Sequence, residues 1–350
     1  MGAAIVVCHN LPKFYGRPRA AWASCAPCPP PGYTPAYTIA RAMAETDSYH
    51  KDFVHAVNSL DEVWVPSRFS FDVLLAAGVA PDRMHIVPLA VNTSFFTPHR
   101  HRAYKDVRAI PGVSTLQVFG CAGGSATALP AERIFLSVFK WENRKGWDVL
   151  LAAYLQHFTC NDPVVLLLLT KPFLQSSGAA EEITSWVQVH LPDRNISQLP
   201  RLLLIQQHIS QEQYARLLAS AHAFVLPTRG EGWGLPMVEA MAMGLPVIAT
   251  NASGVTAYLD AQVGYPVPFT LVPVPEGEPF WFAGSRWAEP DVTSLQVLMG
   301  TVVDNPAEAQ RRGQAARQRM LHRYSPAVVA GQLWAHFQRI NAQLDSGRSP

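Results

Sequence analysis

Leu226–Thr250 reads LPTRGEGWGLPMVEAMAMGLPVIAT, and its reading decides the fold. The apolar run Ala223–Leu226, closed by Pro227, predicts a buried strand. Gly230, Gly232 and Gly234 then alternate with Glu231 and Trp233. Glycine lets a backbone take positive φ and come close to a ligand. Leu235–Met243 predicts a helix: Pro236 suits a first turn, and Val238, Met241, Ala242 and Leu245 recur at helical spacing until Gly244-Leu245-Pro246 stops it. Val247–Ala249 predicts the next buried strand. Strand, glycine loop, helix start and strand together direct backbone N–H groups and a positive dipole end toward an anion.

Glu231 lies in that loop and Glu239 on the first turns of the helix. Acids beside a phosphate-binding helix end repel phosphate, so their natural partners are hydroxyls. A ligand with phosphate in the middle and hydroxyl-rich rings at both ends meets both demands, which describes a nucleotide-sugar. The competing reading makes them ordinary surface carboxylates, which are common.

Gly230-Glu231-Gly232-Trp233-Gly234-Leu235-Pro236, followed by Glu239-Ala240-Met241-Ala242, resembles the Glu-x7-Glu signature of retaining glycosyltransferases of GT-B architecture (glycosyltransferase family 4, "glycosyl transferases group 1"). The resemblance implies that Glu231 contacts hydroxyls of the donor sugar and Glu239 the nucleotide ribose. It places Gly232, Trp233, Gly234 and Leu235 at the donor as well. It further implies an α/β fold of two Rossmann-like domains facing a cleft, with a last helix that crosses back to the first domain.

The chain of 350 residues allows two domains of ordinary size. Nearly half of it is hydrophobic, ample for a core, and a net charge of +2 gives no basic stripe for nucleic acid. The longest apolar run, Val164–Leu169, is far short of the ~20 residues of a membrane helix. Met1–Val7 is too short for a signal peptide, so the expectation is a cytoplasmic protein. Of the five cysteines, only Cys25-Ala26-Pro27-Cys28 has metal or redox spacing. No second pair or histidine cluster joins it, and it falls in the proline-rich run Arg17–Pro35, which reads as a loop.

Toward the N-terminus, Ala3–Val7 predicts a strand, Tyr37–Leu60 a helix, Glu62–Val65 a strand, Phe69–Ala77 a helix and Met84–Val87 a strand. This is a short doubly wound pattern. Asp61–Ser67 and Val87–Asn92 resemble the last elements of the family's N-terminal domain, and the family's upstream strands are missing, which implies an incomplete N-terminal domain. His9 follows a strand end, where ligands gather in open α/β sheets. His9-Asn10-Leu11-Pro12 partly matches a stretch that sits beside the donor sugar in related enzymes.

Thr97–Pro130 reads as an interdomain connection. Beyond it, strands fit Ile134–Phe139, Val164–Leu169, Leu202–Ile205, Ala223–Leu226 and Val247–Ala249. Helices fit Trp147–His157, Ala179–His190, Gln211–Ser220, Leu235–Met243 and Gly254–Leu259, without a hairpin signal, so one parallel sheet covered on both faces is expected. After its first strand, Lys140 and Lys145 flank a turn before a helix. This resembles the family's diphosphate-binding pair, whose cations stabilise charge developing on the leaving group. Arg144 is left out of that pair. Pro306–Leu344 reads as two helices parted near Ser325-Pro326, and Pro266–Pro290 as a long loop without a function.

The expected organisation is a partial N-terminal, acceptor-side domain over 1–125, a nucleotide-sugar-binding domain over 126–325, and a crossover helix and tail over 326–350. The expected activity is sugar transfer from a nucleotide-diphosphate sugar with retention, catalysed through His9, Lys140, Lys145 and Glu231. No cofactor or metal is expected, since no Asp-x-Asp metal motif is present. The acceptor, whether glycan, lipid or protein, is left open. The alternative is a non-catalytic or truncated nucleotide-sugar-binding protein. A dinucleotide oxidoreductase is disfavoured because these glycines do not form G-x-G-x-x-G.

Overall fold

The computed structural model describes residues 4–9, 27–30, 32–120, 132–172 and 178–346; Cys25, Cys121, Asn10–Pro12 and most of Arg17–Pro35 lie outside this set. The first sheet holds β1 (Ile5–Cys8), β2 (Tyr37–Arg41), β3 (Glu62–Val65) and β4 (Met84–Ile86), adjacent in that order and all parallel. The expected helix over Tyr37–Leu60 is therefore corrected: its first residues are β2, and only Lys51–Asn58 (α1) is helical. Tyr37-Thr38-Ile39 is aromatic and β-branched, which suits a pleated, buried surface. Thr38 fixes β2 beside β3, its backbone N–H and Oγ1 both donating to Asp61 Oδ2 at 2.7 Å. The three expected strands are thus four. α2 (Arg68–Ala76) follows β3, capped by the Ser67 hydroxyl accepting from Ser70 N–H.

The second sheet contains β5 (Leu116–Phe119), β6 (Arg133–Trp141), β7 (Val164–Pro172), β8 (Arg201–Ile205), β9 (Ala223–Leu226), β10 (Val247–Thr250) and β11 (Gly264–Val267). Its order is β11-β10-β9-β6-β7-β8-β5. Read from β8 to β11, the six parallel strands have the doubly wound order 3-2-1-4-5-6. The helices are α3 (Trp147–His157), α4 (Ala179–His190), α5 (Gln211–Ser220), α6 (Leu235–Ala242), α7 (Val292–Asp304), α8 (Pro306–Arg323) and α9 (Pro326–Asp345). Leu166, Leu167, Phe224, Val225 and Ile248 are fully buried, as expected of strands covered on both faces.

Several expectations give way. The sheet is not purely parallel, because β5 pairs antiparallel with β8; this also places part of Thr97–Pro130 in the sheet rather than in a bare connection. Gly254–Leu259 is a 3-10 turn over Ser253–Ala257. Pro266–Pro290 is no simple loop: β12 (Phe269–Pro273) and β13 (Arg286–Pro290) form an antiparallel hairpin. Cys28 bonds to Cys8 across 20 residues, which removes it from any metal or redox pair with Cys25. Cys160 is disulfide-bonded as well. Finally, α9 returns to the first sheet, where Leu333, Phe337 and Ile340 pack on Tyr37, Ile39 and Trp64. Arg339 Nη2 lies 2.7 and 2.6 Å from the two Glu62 oxygens.

Candidate active site

β6 and β9 are neighbours whose following helices lie on opposite sides, so their carboxyl ends open the crevice where ligands of doubly wound sheets bind. Two turns fill it. After β6, Asn143–Lys145 form one 3-10 turn and Gly146 adopts φ 66° to start α3. After β9 comes the glycine loop, and Gly234, with φ 89°, starts α6. A side chain at Gly234 would meet Met237 and the Tyr258 hydroxyl. Arg229 ties the turns together: it donates to Asn143 O at 2.6 Å and pairs with Asp148 at 2.7 Å and Glu289 at 2.5 Å.

Lys145 and Glu231 are brought together, Nζ to Oε1 at 2.5 Å. Arg144, passed over in the sequence, is the buried hub. It pairs with Glu142 at 2.7 Å and Glu45 at 3.2 Å, approaches Glu231 at 3.9 Å, and donates to Gly230 O. Burial works against the Glu231 carboxylate, but Lys145 and Arg144 overcome it and hold its pKa below the ordinary carboxylate value. Burial likewise opposes the Arg144 charge, and Glu45, Glu231 and Glu142 more than restore it. The local sequence signal for Arg144 was its place between two lysines at a strand end. Only the fold shows that it turns inward, where its planar fork serves several acceptors at once.

Glu239 is placed apart from this cluster. It lines a cavity of about 600 Å3 together with Lys140, Lys171, Thr170 and Pro236, and it accepts from the Tyr214 hydroxyl at 3.0 Å. Burial raises its pKa to about 7, with Tyr214 opposing. Lys140 is exposed on the rim. The two expected pairs are therefore resorted: Lys145 sits with Glu231, and Lys140 with Glu239.

The remaining predicted residues divide. Gly232 and Gly234 form the loop beside Glu231, and Leu235 is exposed at the start of α6. Trp233 faces away, 3% exposed, packed edge-on to Tyr258 and Tyr324, so its ring supports the loop from behind. His9 is exposed past the end of β1; its pKa is lowered by partial burial and by Arg41. Among the described residues, no hydrogen bond or ion pair joins it to the Lys145–Glu231 cluster.

The closest grouping of metal-type ligands among the described residues is Glu62, His85 and His336. Glu62 accepts from Tyr37, from Trp64 and from Arg339 at both oxygens. Four contacts occupy the roughly four lone-pair sites of a carboxylate, leaving nothing for a cation.

Comparison with solved structures first defines the class. The chain superposes on sucrose-phosphate synthase from Thermosynechococcus elongatus with a TM-score of 0.62 and 22% identity, covering 88% of this chain and 69% of that one. HepE of Anabaena, solved with UDP and glucose, gives 0.63 and 13%, covering 86% and 71%. The architecture is GT-B. Residues 132–275 match the family described as glycosyl transferases group 1. MMP alpha-(1->4)-mannosyltransferase of Mycolicibacterium hassiacum is 29% identical over 281 residues, 80% of this chain and 54% of that protein. Glycogen synthase of Mycobacterium tuberculosis is 32% identical over 124 residues, 35% and 25% respectively. The chain thus spans about half, or less, of the length of these relatives.

Proposed function

We propose that this protein is a glycosyltransferase that moves a sugar from a nucleotide-diphosphate sugar to an acceptor with retention and without a divalent metal. The observation that carries this reading is the two-part crevice: an ionised Glu231 held by Lys145, and a separate Glu239 cavity beside Lys140, joined by the start of α6. The nucleoside end belongs in the Glu239 cavity, where the carboxylate accepts from ribose hydroxyls. The diphosphate spans toward Lys145, assisted by Lys140 and the N–H groups of the glycine loop. As the sugar–phosphate bond breaks, these cations stabilise charge developing on the diphosphate, the role a metal ion plays in other phosphate-transfer sites. Glu231 meets the sugar hydroxyls. His9, at the carboxyl end of β1, is assigned to the sugar side of the cleft. The retained configuration follows the family resemblance, and the acceptor is a glycan, lipid or protein.

UDP-, GDP- and ADP-sugars screened by thermal stabilisation, followed by donor hydrolysis in EDTA, test the reading. One of them should stabilise the protein and turn over with the chelator present. Reversible loss of turnover in EDTA would refute the metal-free chemistry.

Among the described residues, no helix is long and apolar enough to cross a membrane. The cytoplasmic placement requires the Cys8–Cys28 bond to be reduced in the cell, since disulfides are rare in the cytosol. Alkylation of thiols at lysis decides it: Cys8 and Cys28 found oxidised would reject the cytoplasm.

A further inference from the structure

One carboxylate in the cluster has no part in the reading above. Glu45 follows β2 in the first domain, yet it stands 3.2 Å from Arg144 in the second. The approach is close along the backbone too. The Glu45 carbonyl occupies the space a side chain at Gly230 would need, and the Met43 side chain covers Gly232. Residues 43–45 are thus the roof of the Glu231 subsite.

The charges at this subsite do not balance. Arg144 and Lys145 are matched by Glu142 at 2.7 Å and Glu231 at 2.5 Å. Glu45 is the surplus acid, at a longer distance, with 29% of its side-chain surface still accessible. A carboxylate in such surroundings is costly unless it meets hydrogen-bond donors, and burial raises its pKa accordingly, against the pull of Arg144. Phosphate offers it no donors and adds repulsion. A neutral group bearing several hydroxyls supplies donors without charge.

We propose that Glu45 is a specificity-determining residue that closes the transferred-sugar subsite from the first domain and accepts a hydrogen bond from a ring hydroxyl of the donor sugar. The inference rests on the glycosyltransferase reading. It adds that the sugar is read by carboxylates from both domains, so recognition is complete only when they are closed, a form of induced fit. Closure has its own ties: Arg286 in the β12–β13 hairpin donates to Asp47 at 2.7 Å through both its backbone N–H and its side chain, and the Ser48 and Ser285 hydroxyls lie 2.6 Å apart. Glu45 is therefore not needed as a strut.

The test compares Glu45→Gln and Glu45→Ala with Asp47→Ala in the full chain. Calorimetry would use the nucleoside diphosphate alone, its preferred sugar conjugate and a conjugate epimeric at one ring hydroxyl. In both Glu45 variants, affinity for the nucleoside diphosphate should stay within about threefold. Affinity for the preferred conjugate should fall by about tenfold to hundredfold, the range for a lost hydrogen bond to a charged group, and discrimination against the epimer should shrink. Asp47→Ala should weaken both conjugates alike and leave their ratio unchanged. Equal losses for diphosphate and conjugate in the Glu45 variants, or wild-type discrimination in them, would overturn the inference and make Glu45 a structural tie. Failure of the wild-type chain to bind any nucleoside diphosphate would instead overturn the underlying reading, and the inference with it.

Discussion

The two ends of the crevice treat their glutamates in opposite ways. Glu231 sits among two cations and two further acids and is ionised; Glu239 accepts from a neutral donor, Tyr214, and burial lifts it to about 7. At one end nearby charge outweighs desolvation, and at the other desolvation wins. The first end is preorganised around fixed charge. The second is left for its ligand to finish, because ribose hydroxyls donating to Glu239 favour the ionised form.

Removing the hub should break the charged end most severely. Arg144→Ala leaves Glu45, Glu142 and Glu231 with Lys145 alone, and breaking a buried ion pair costs about 3–5 kcal/mol. Urea denaturation should show a loss of that order. A loss under about 1 kcal/mol would mean that the cluster is far more hydrated than its burial implies.

Glu239 predicts a pH slope. Its folded pKa, about 7, lies above the ordinary value of 4.5. Its contribution is therefore complete below about pH 4.5 and is lost as pH rises to about 7, since the unfolded chain gives up the proton first. The loss is on the order of 3 kcal/mol. Glu239→Gln should flatten this part of the stability–pH curve, and an unchanged slope would place the titration elsewhere.

Ligand binding sharpens the contrast. Lys145→Ala should weaken the nucleoside diphosphate by about tenfold to hundredfold, by loss of a charged hydrogen bond, while sparing the unphosphorylated nucleoside. Equal losses by calorimetry would contradict the assignment of diphosphate to the Lys145 end.

How much of this was legible in the sequence depends on the range of the signal. Strand β9, helix α6 and the capped helix α5 are written in local periodicity and turn residues. Tyr37–Arg41 departs from the helix expected over Tyr37–Leu60 because what makes it a strand is pairing with β1 and β3, distant along the chain. Leu116–Phe119 is a strand only because β8 offers an edge. The same holds at the site. Glu231, Glu239 and Lys145 are singled out in the sequence by their places beside glycine turns and by the family resemblance. Glu45 reaches Arg144 across 99 residues of chain, and only the docking of the two sheets reveals the pair.

The smallest expected effect concerns Tyr214. Its hydroxyl donates to Glu239 and opposes the upward shift of the carboxylate pKa. Tyr214→Phe removes that donor and keeps the ring, so the ionised form of Glu239 loses its described partner and its pKa should rise above about 7. Nucleoside affinity in the wild type should increase as pH rises through 7, because ribose hydroxyls bind the ionised carboxylate. In Tyr214→Phe that rise should move to higher pH, with a loss near pH 7 of about 1 kcal/mol, or roughly fivefold. Above the shifted midpoint the loss should narrow, since the ribose itself supplies a donor where the tyrosine stood. A pH-independent loss would mean that Tyr214 acts on the nucleoside directly rather than through Glu239, and the contrast between the two glutamates would then lose its nucleotide half.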